Sequence, residues 1–118
     1  MTHLIVLLLV VLGGFSGLFA QSFTANLTGL VTDPNAAVMP NVSVKLRNAG
    51  TGETRQTLTG AEGRYTFSQL LPGSYEVTAE AAGFKTVVQR GITLTTNQSG
   101  EVNIAMQLGE VTQTVEVS

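Results

Sequence analysis

From residue 23 almost to its end, the chain alternates apolar and polar side chains with a period of two, and this rhythm restricts the fold more than any other feature. Leu27, Gly29 and Val31 alternate with Asn26, Thr28 and Leu30, and Val42, Val44 and Leu46 alternate with Ser43, Lys45 and Arg47. Val102, Ile104, Met106 and Leu108 do the same against Asn103, Ala105 and Gln107. Residues two apart share a face of an extended chain, whereas a helix repeats every 3.6 residues, so these stretches predict half-buried strands. The stretches 54–58, 64–70, 74–81 and 86–95 repeat the pattern, the last interrupted near Gly91. Seven strands at this spacing leave no length for a helix.

The breaks carry their own chemistry. Asp33-Pro34-Asn35 presets a turn, because proline fixes φ behind a side chain that can bond its own backbone. The stretches 48–52 and 60–63 supply glycines for tight connections. Pro72 and Gly73 suit the two central positions of a type II turn, which predicts a hairpin between 64–70 and 74–81. Tyr75, Val77 and Ala79 then face the core while Glu76, Thr78 and Glu80 face solvent, and Tyr65 and Phe67 meet the same core from the partner strand. Short antiparallel strands with one apolar face each predict an all-β sandwich of two sheets. A closed barrel is the other arrangement such strands allow.

The 118-residue chain has no cysteine, and its one histidine, His3, lies in an apolar opening, MTHLIVLLLVVLGGFSGLFA. An unbroken run from Leu4 to Leu12, then small residues to Ala20, reads as a signal peptide over 1–20, removed before Gln21. The alternative is an uncleaved anchor, against which stand the breaks at Gly13, Gly14, Ser16 and Gly17, since a span needs about 20 apolar residues. Beyond Ala20 the chain has neither histidine nor cysteine and only one aspartate, Asp33. Zinc, copper and haem sites, and serine or cysteine nucleophiles activated by histidine, cannot be assembled from such a set, so the expectation is no enzyme and no cofactor. With no disulfide available, stability must come from an ordinary apolar core.

The remaining charged groups give little chemistry. Glu76 and Glu80 share a strand face but stand about 13 Å apart at ~3.3 Å per residue. Paired-carboxylate hydrolysis needs about 5 to 9.5 Å. Lys45 and Arg47 form a small basic stripe, with Lys85 as a candidate neighbour. A net charge of −2 with only six lysines and arginines argues against a nucleic-acid partner. Asp33 and Asn35 offer one carboxylate for calcium, which is too few for useful affinity.

The stretch GRYTFSQLLPGSYEVTAEAAGFKT, preceded by LTGLVTDPNAAVMPNVSVKLRNAGTGETRQTLTGAE, resembles the carboxypeptidase regulatory-like domain. That family's fold is a transthyretin-like sandwich, also similar to the B-type repeats of collagen adhesins. The resemblance covers about residues 24–108 and implies a seven-stranded antiparallel Greek-key sandwich as a domain over 21–108. Together with the Asp-Pro turn, the ending Glu-Val-Thr-Gln-Thr-Val-Glu-Val resembles the periplasmic N-terminal extension of TonB-dependent outer-membrane receptors. It implies a non-catalytic accessory domain whose partner is a protein or a neighbouring receptor domain. The adhesin likeness implies the alternative, a cell-surface module that binds glycan or protein. Ala36 and Asn41 stand where the family commonly has glycine, which puts those loop conformations in question and predicts a strain on the order of 1 kcal/mol at Ala36.

The last stretch, 109–118, reads GEVTQTVEVS. Val111, Val115 and Val117 continue an alternating face with no turn behind them, so the segment is either one more edge strand or the start of a linker to a further domain. Export makes a direct prediction. The intact mass of the secreted protein should show loss of residues 1–20, and recovery of only the full-length chain in the membrane fraction would contradict it.

Overall fold

The structure, a computed structural model, describes residues 23–109. The predicted leader over 1–20, and Val111, Val115 and Val117, lie outside the described residues. Eight strands and no helix occur among the described residues: β1 (Ala25–Thr32), β2 (Ser43–Asn48), β3 (Thr54–Leu58), β4 (Arg64–Leu70), β5 (Gly73–Glu80), β6 (Val87–Leu94), β7 (Ser99–Glu101) and β8 (Ile104–Ala105). One sheet has the order β4-β1-β7, with β8 also paired to β1, and the other has the order β3-β2-β5-β6. The expected all-β sandwich is what forms.

Burial follows the period of two. Leu27 and Val31 of β1, Val44 and Leu46 of β2, Tyr65 and Phe67 of β4, and Tyr75, Val77 and Ala79 of β5 are all buried, joined by Ile104 and Met106. At roughly 25 cal/mol per Å² of apolar surface, side chains of this size each contribute about 1.5–3 kcal/mol. The outward set, including Lys45, Arg47 and Glu80, is exposed. Tyr65 and Phe67 also touch each other, with ring centres 5.9 Å apart and planes tilted by 59°.

Three expectations need correction. First, Pro72-Gly73 does not close a hairpin: β4 pairs with β1 while β5 pairs with β2 and β6, so the short link crosses from one sheet to the other. Gly73 is not among the residues with positive φ, which rules out a type II turn there. A proline-glycine pair signals a change of direction but not which sheet receives the next strand. Tyr75 instead fixes the crossing, since its hydroxyl donates to the Leu71 carbonyl at 2.6 Å, in the manner of a tyrosine corner.

Second, the sandwich is not wholly antiparallel. β7 and β8 run parallel to β1, with Leu27 opposite Gly100 and Val31 opposite Ile104. The chain reaches β7 by crossing over from β6 in the other sheet, and a crossover is the connection that delivers a parallel neighbour. Third, of the strand expected over 102–108 only Ile104–Ala105 forms, and a separate short strand, Ser99–Glu101, precedes it. Between them the ladder is patched by a side chain, as the Leu30 amide donates to Asn103 Oδ1 at 3.0 Å.

Two bulges keep the apolar faces inward. On β4 the register with β1 slips between Leu70 and Phe67, with Gln69 at φ 58°, so that Leu70 turns back into the core after two exposed residues. On β6 the slip falls beside Gly91, at φ 74°, where the sequence pattern breaks.

The first turn behaves as its residues dictate. Asp33 Oδ1 accepts from the amides of Asn35 and Ala37 at 2.8 and 2.9 Å. Ala36 is forced to φ 67° and Asn41 to φ 61°. Asparagine tolerates this region, but alanine is strained in it. Ala36→Gly should therefore stabilise the domain by about 0.5–1 kcal/mol. A higher urea midpoint with an unchanged slope is the expected reading, and an unchanged or lowered midpoint would mean that the turn is not strained.

Candidate functional site

Three places in the fold gather polar or exposed apolar groups. The first is a hollow of about 150 Å³ at the Pro72 end, lined by Leu46, Asn48, Glu53, Arg55, Leu70, Leu71 and Tyr75. It is smaller than the ~300–1,000 Å³ usual for ligand sites. Its polar groups also hold up the loops around it. Asn48 Oδ1 accepts from the amides of Gly50 and Thr51 at 2.8 and 3.1 Å, which shapes the β2–β3 turn. The Arg55 guanidinium donates to the carbonyls of Ser68 and Gln69 at 2.7 and 3.0 Å, clasping the bulge of β4 from the opposite sheet. What the hollow presents outward is chiefly Leu71, at 60% exposure, beside Pro72.

The second place is the outer face of the β3-β2-β5-β6 sheet. Lys45 and Arg47 project from β2 as expected, and Arg47 lies opposite Glu76. Glu76 in turn accepts from Arg90 Nε of β6 at 2.7 Å, an exposed ion pair worth at most about 1 kcal/mol. Lys85 comes from a different part of the chain. It lies in the β5–β6 connection, where its amide donates to the Gln107 carbonyl. Glu80 is exposed, and among the described residues no three His, Cys, Asp or Glu side chains gather as metal ligands do.

The third place is the end of the sandwich opposite Pro72, where the described chain leaves the fold. Residues 107–109 lie antiparallel to 83–85: the Lys85 amide donates to Gln107, Leu108 bridges Phe84, and the Gly109 amide donates to Gly83 at 2.9 Å. Leu108 is 65% exposed there. The sequence marked the alternation that runs through 108, but nothing in it showed that the chain is fastened to the β5–β6 connection before residue 110.

The sequence placed Tyr65 in the core, but what its hydroxyl and ring do there was missed. The ring of Tyr65 lies over Gly29, and its hydroxyl donates to the Val102 carbonyl at 2.6 Å. A Cβ on Gly29 would fall 2.6 Å from that ring and 1.8 Å from the Val102 oxygen. The signal was available: a glycine at an inward position of an otherwise apolar strand marks close approach of another group.

The chain matches the carboxypeptidase regulatory-like domain over residues 26–107, and it belongs to that family. Among named relatives, Colossin-A of Dictyostelium discoideum is 38% identical over 60 residues, which is 50% of this chain and, to the nearest per cent, 0% of Colossin-A. Two solved structures show how widely the sandwich is used. A type II cohesin–X-dockerin complex from Acetivibrio cellulolyticus contains a chain similar at TM-score 0.56 and 18% identity, over 73% of this chain and 59% of that one. Hydroxyquinol 1,2-dioxygenase from Pseudomonas putida is similar at TM-score 0.60 and 8% identity, over 77% and 58%. At such identities the likeness shows the fold alone.

Burial, and then the nearby Glu101 carboxylate, push the Tyr65 hydroxyl up from the ordinary 10 to about 12. The phenolate would also forfeit the bond to Val102. Because the unfolded chain releases this proton first, the stability it contributes is complete below pH 10 and is lost as pH rises towards about 12. Denaturant midpoints followed through this window should fall more steeply for the native chain than for Tyr65→Phe, and parallel curves would refute the assignment.

Proposed function

We propose that the chain is a non-catalytic, exported accessory domain of a TonB-dependent receptor-like outer-membrane protein. It works by presenting its C-terminal segment, with Val111, Val115 and Val117 on one face, to a neighbouring domain or protein partner. The observation that carries this reading is the fastening of residues 107–109 against 83–85, at the end of the sandwich where Leu108 is exposed. The sequence that follows alternates valines with polar residues, the pattern of a strand, and strand addition is an ordinary way for such a segment to meet a partner. The export signal and the receptor-like ending of the sequence support the receptor context. The occurrence of a similar sandwich in a cohesin–X-dockerin complex, an assembly of proteins, supports only the protein-partner part of the reading.

The groups that chemistry would need are otherwise engaged or far apart. Arg55, Asn48 and Tyr75 hold loops, and Glu76 is paired with Arg90. Hydrogen exchange tests the reading. In the isolated chain the amides of residues 110–118 should exchange freely, and they should gain protection when a neighbouring domain or second copy is added. Deleting 110–118 should leave the sandwich folded and abolish association. If Val115 and Val117 are already as protected as Ile104 in the lone monomer, the segment belongs to the domain's own sheet.

A further inference from the structure

The described fold begins and ends on neighbouring strands. β1 starts at the Pro72 end, where Ala25 lies opposite Leu70, and runs to the far end at Thr32. β7 and β8 lie beside β1 and run in the same direction, so the chain departs from the far end through Met106 and Gly109. Tension between the two ends would draw β1 towards its own start and β7–β8 the opposite way. The two strands would then slide along their common axis.

The links between them are spread along the whole overlap. The Asn97 amide donates to Thr24, that of Asn26 to Gln98, that of Val102 to Thr28 and that of Met106 to Thr32, at 2.8 to 3.0 Å. The Leu30 amide donates to Asn103 Oδ1 and fills the interval between β7 and β8. All cross the pulling direction, so they share the load and no one of them can fail first. Peeling from one end would load the same bonds singly. Two further features resist sliding. The Tyr65 hydroxyl holds the Val102 carbonyl from β4, across Gly29, and Leu27, Val31, Ile104 and Met106 are interlocked in the core.

We infer that the parallel β1/β7–β8 pair is a shear clamp, which makes the fold resist tension along its strands more strongly than peeling from one end. This property needs no ligand and is independent of what the C-terminal segment binds.

Single-molecule pulling on the full chain tests it. The chain has no cysteine, so Ala82→Cys gives a unique second attachment point in the β5–β6 connection, beside the place where the chain departs. End-to-end tethering shears the clamp, whereas tethering through position 82 and the C-terminus peels β8 away from Thr32. The end-to-end unfolding force should be clearly the higher of the two. Under end-to-end load, Asn103→Ala should raise the unfolding rate about fivefold, the loss expected for one hydrogen bond in the clamp. Asn48→Ala, which removes bonds to Gly50 and Thr51 in the β2–β3 turn of the other sheet, should lower denaturant stability and leave the end-to-end force unchanged. Equal forces in the two pulling directions would overturn the inference. So would an end-to-end force that falls with Asn48→Ala as much as with Asn103→Ala.

Discussion

The arrangement of the first sheet depends on a ring crossing a strand. Tyr65 begins on β4, passes over β1 at Gly29, and ends at Val102 between β7 and β8. The hydrogen bond at its tip is worth about 1 kcal/mol by ordinary reckoning. The steric condition beneath it is stricter, since even one methyl group at Gly29 would occupy the space of both the ring and the carbonyl. The crossing holds the carbonyl of Val102 between β7 and β8, and the burial of the tyrosine, with Glu101 nearby, raises its pKa.

The alternation of side chains made the core legible almost residue by residue, because burial on one face of a strand is written directly into sequence. The Asp33 turn was legible for a similar reason, as a carboxylate two residues before an amide is a local device. Strain at Ala36 was legible from a missing glycine. What could not be read was which strand meets which. The link at Pro72 looks the same whether the next strand returns beside the last one or crosses to the other sheet, and the outcome is decided by contacts such as Tyr75 with Leu71. The parallel pairing of β1 with β7 and β8 joins residues more than 70 positions apart, as in the bond from Leu30 to Asn103. No local pattern reports that. The bulge at Gln69 was equally hidden, since the residue carries none of the glycine signal that announced Gly91.

The surface was legible mainly as chemistry that could not be assembled. A chain without histidine or cysteine after Ala20 has few routes to a reactive centre, and Asn48, Arg55 and Tyr75 around the 150 Å³ hollow are occupied with the backbone. Family membership fixes the sandwich and leaves the partner open, because the same fold serves an oxygenase and a cohesin–dockerin assembly. What remains to be read is how its two sheets are joined.

That joining is lopsided. On one flank Arg55 of β3 reaches the carbonyls of Ser68 and Gln69 in β4, so two sheet borders cover each other there. On the other flank β7 and β8 are only three and two residues long, while β6 offers an eight-residue border with Val88 and Arg90 outward. Among the described residues, β6 is thus the long sheet border with no strand beside it. Two copies meeting border to border along β6 would be related by a twofold axis and would consume the open side of both, so growth would stop at a pair. Opening the Arg55 flank would supply a second border, and the same molecule would then have the geometry of a filament.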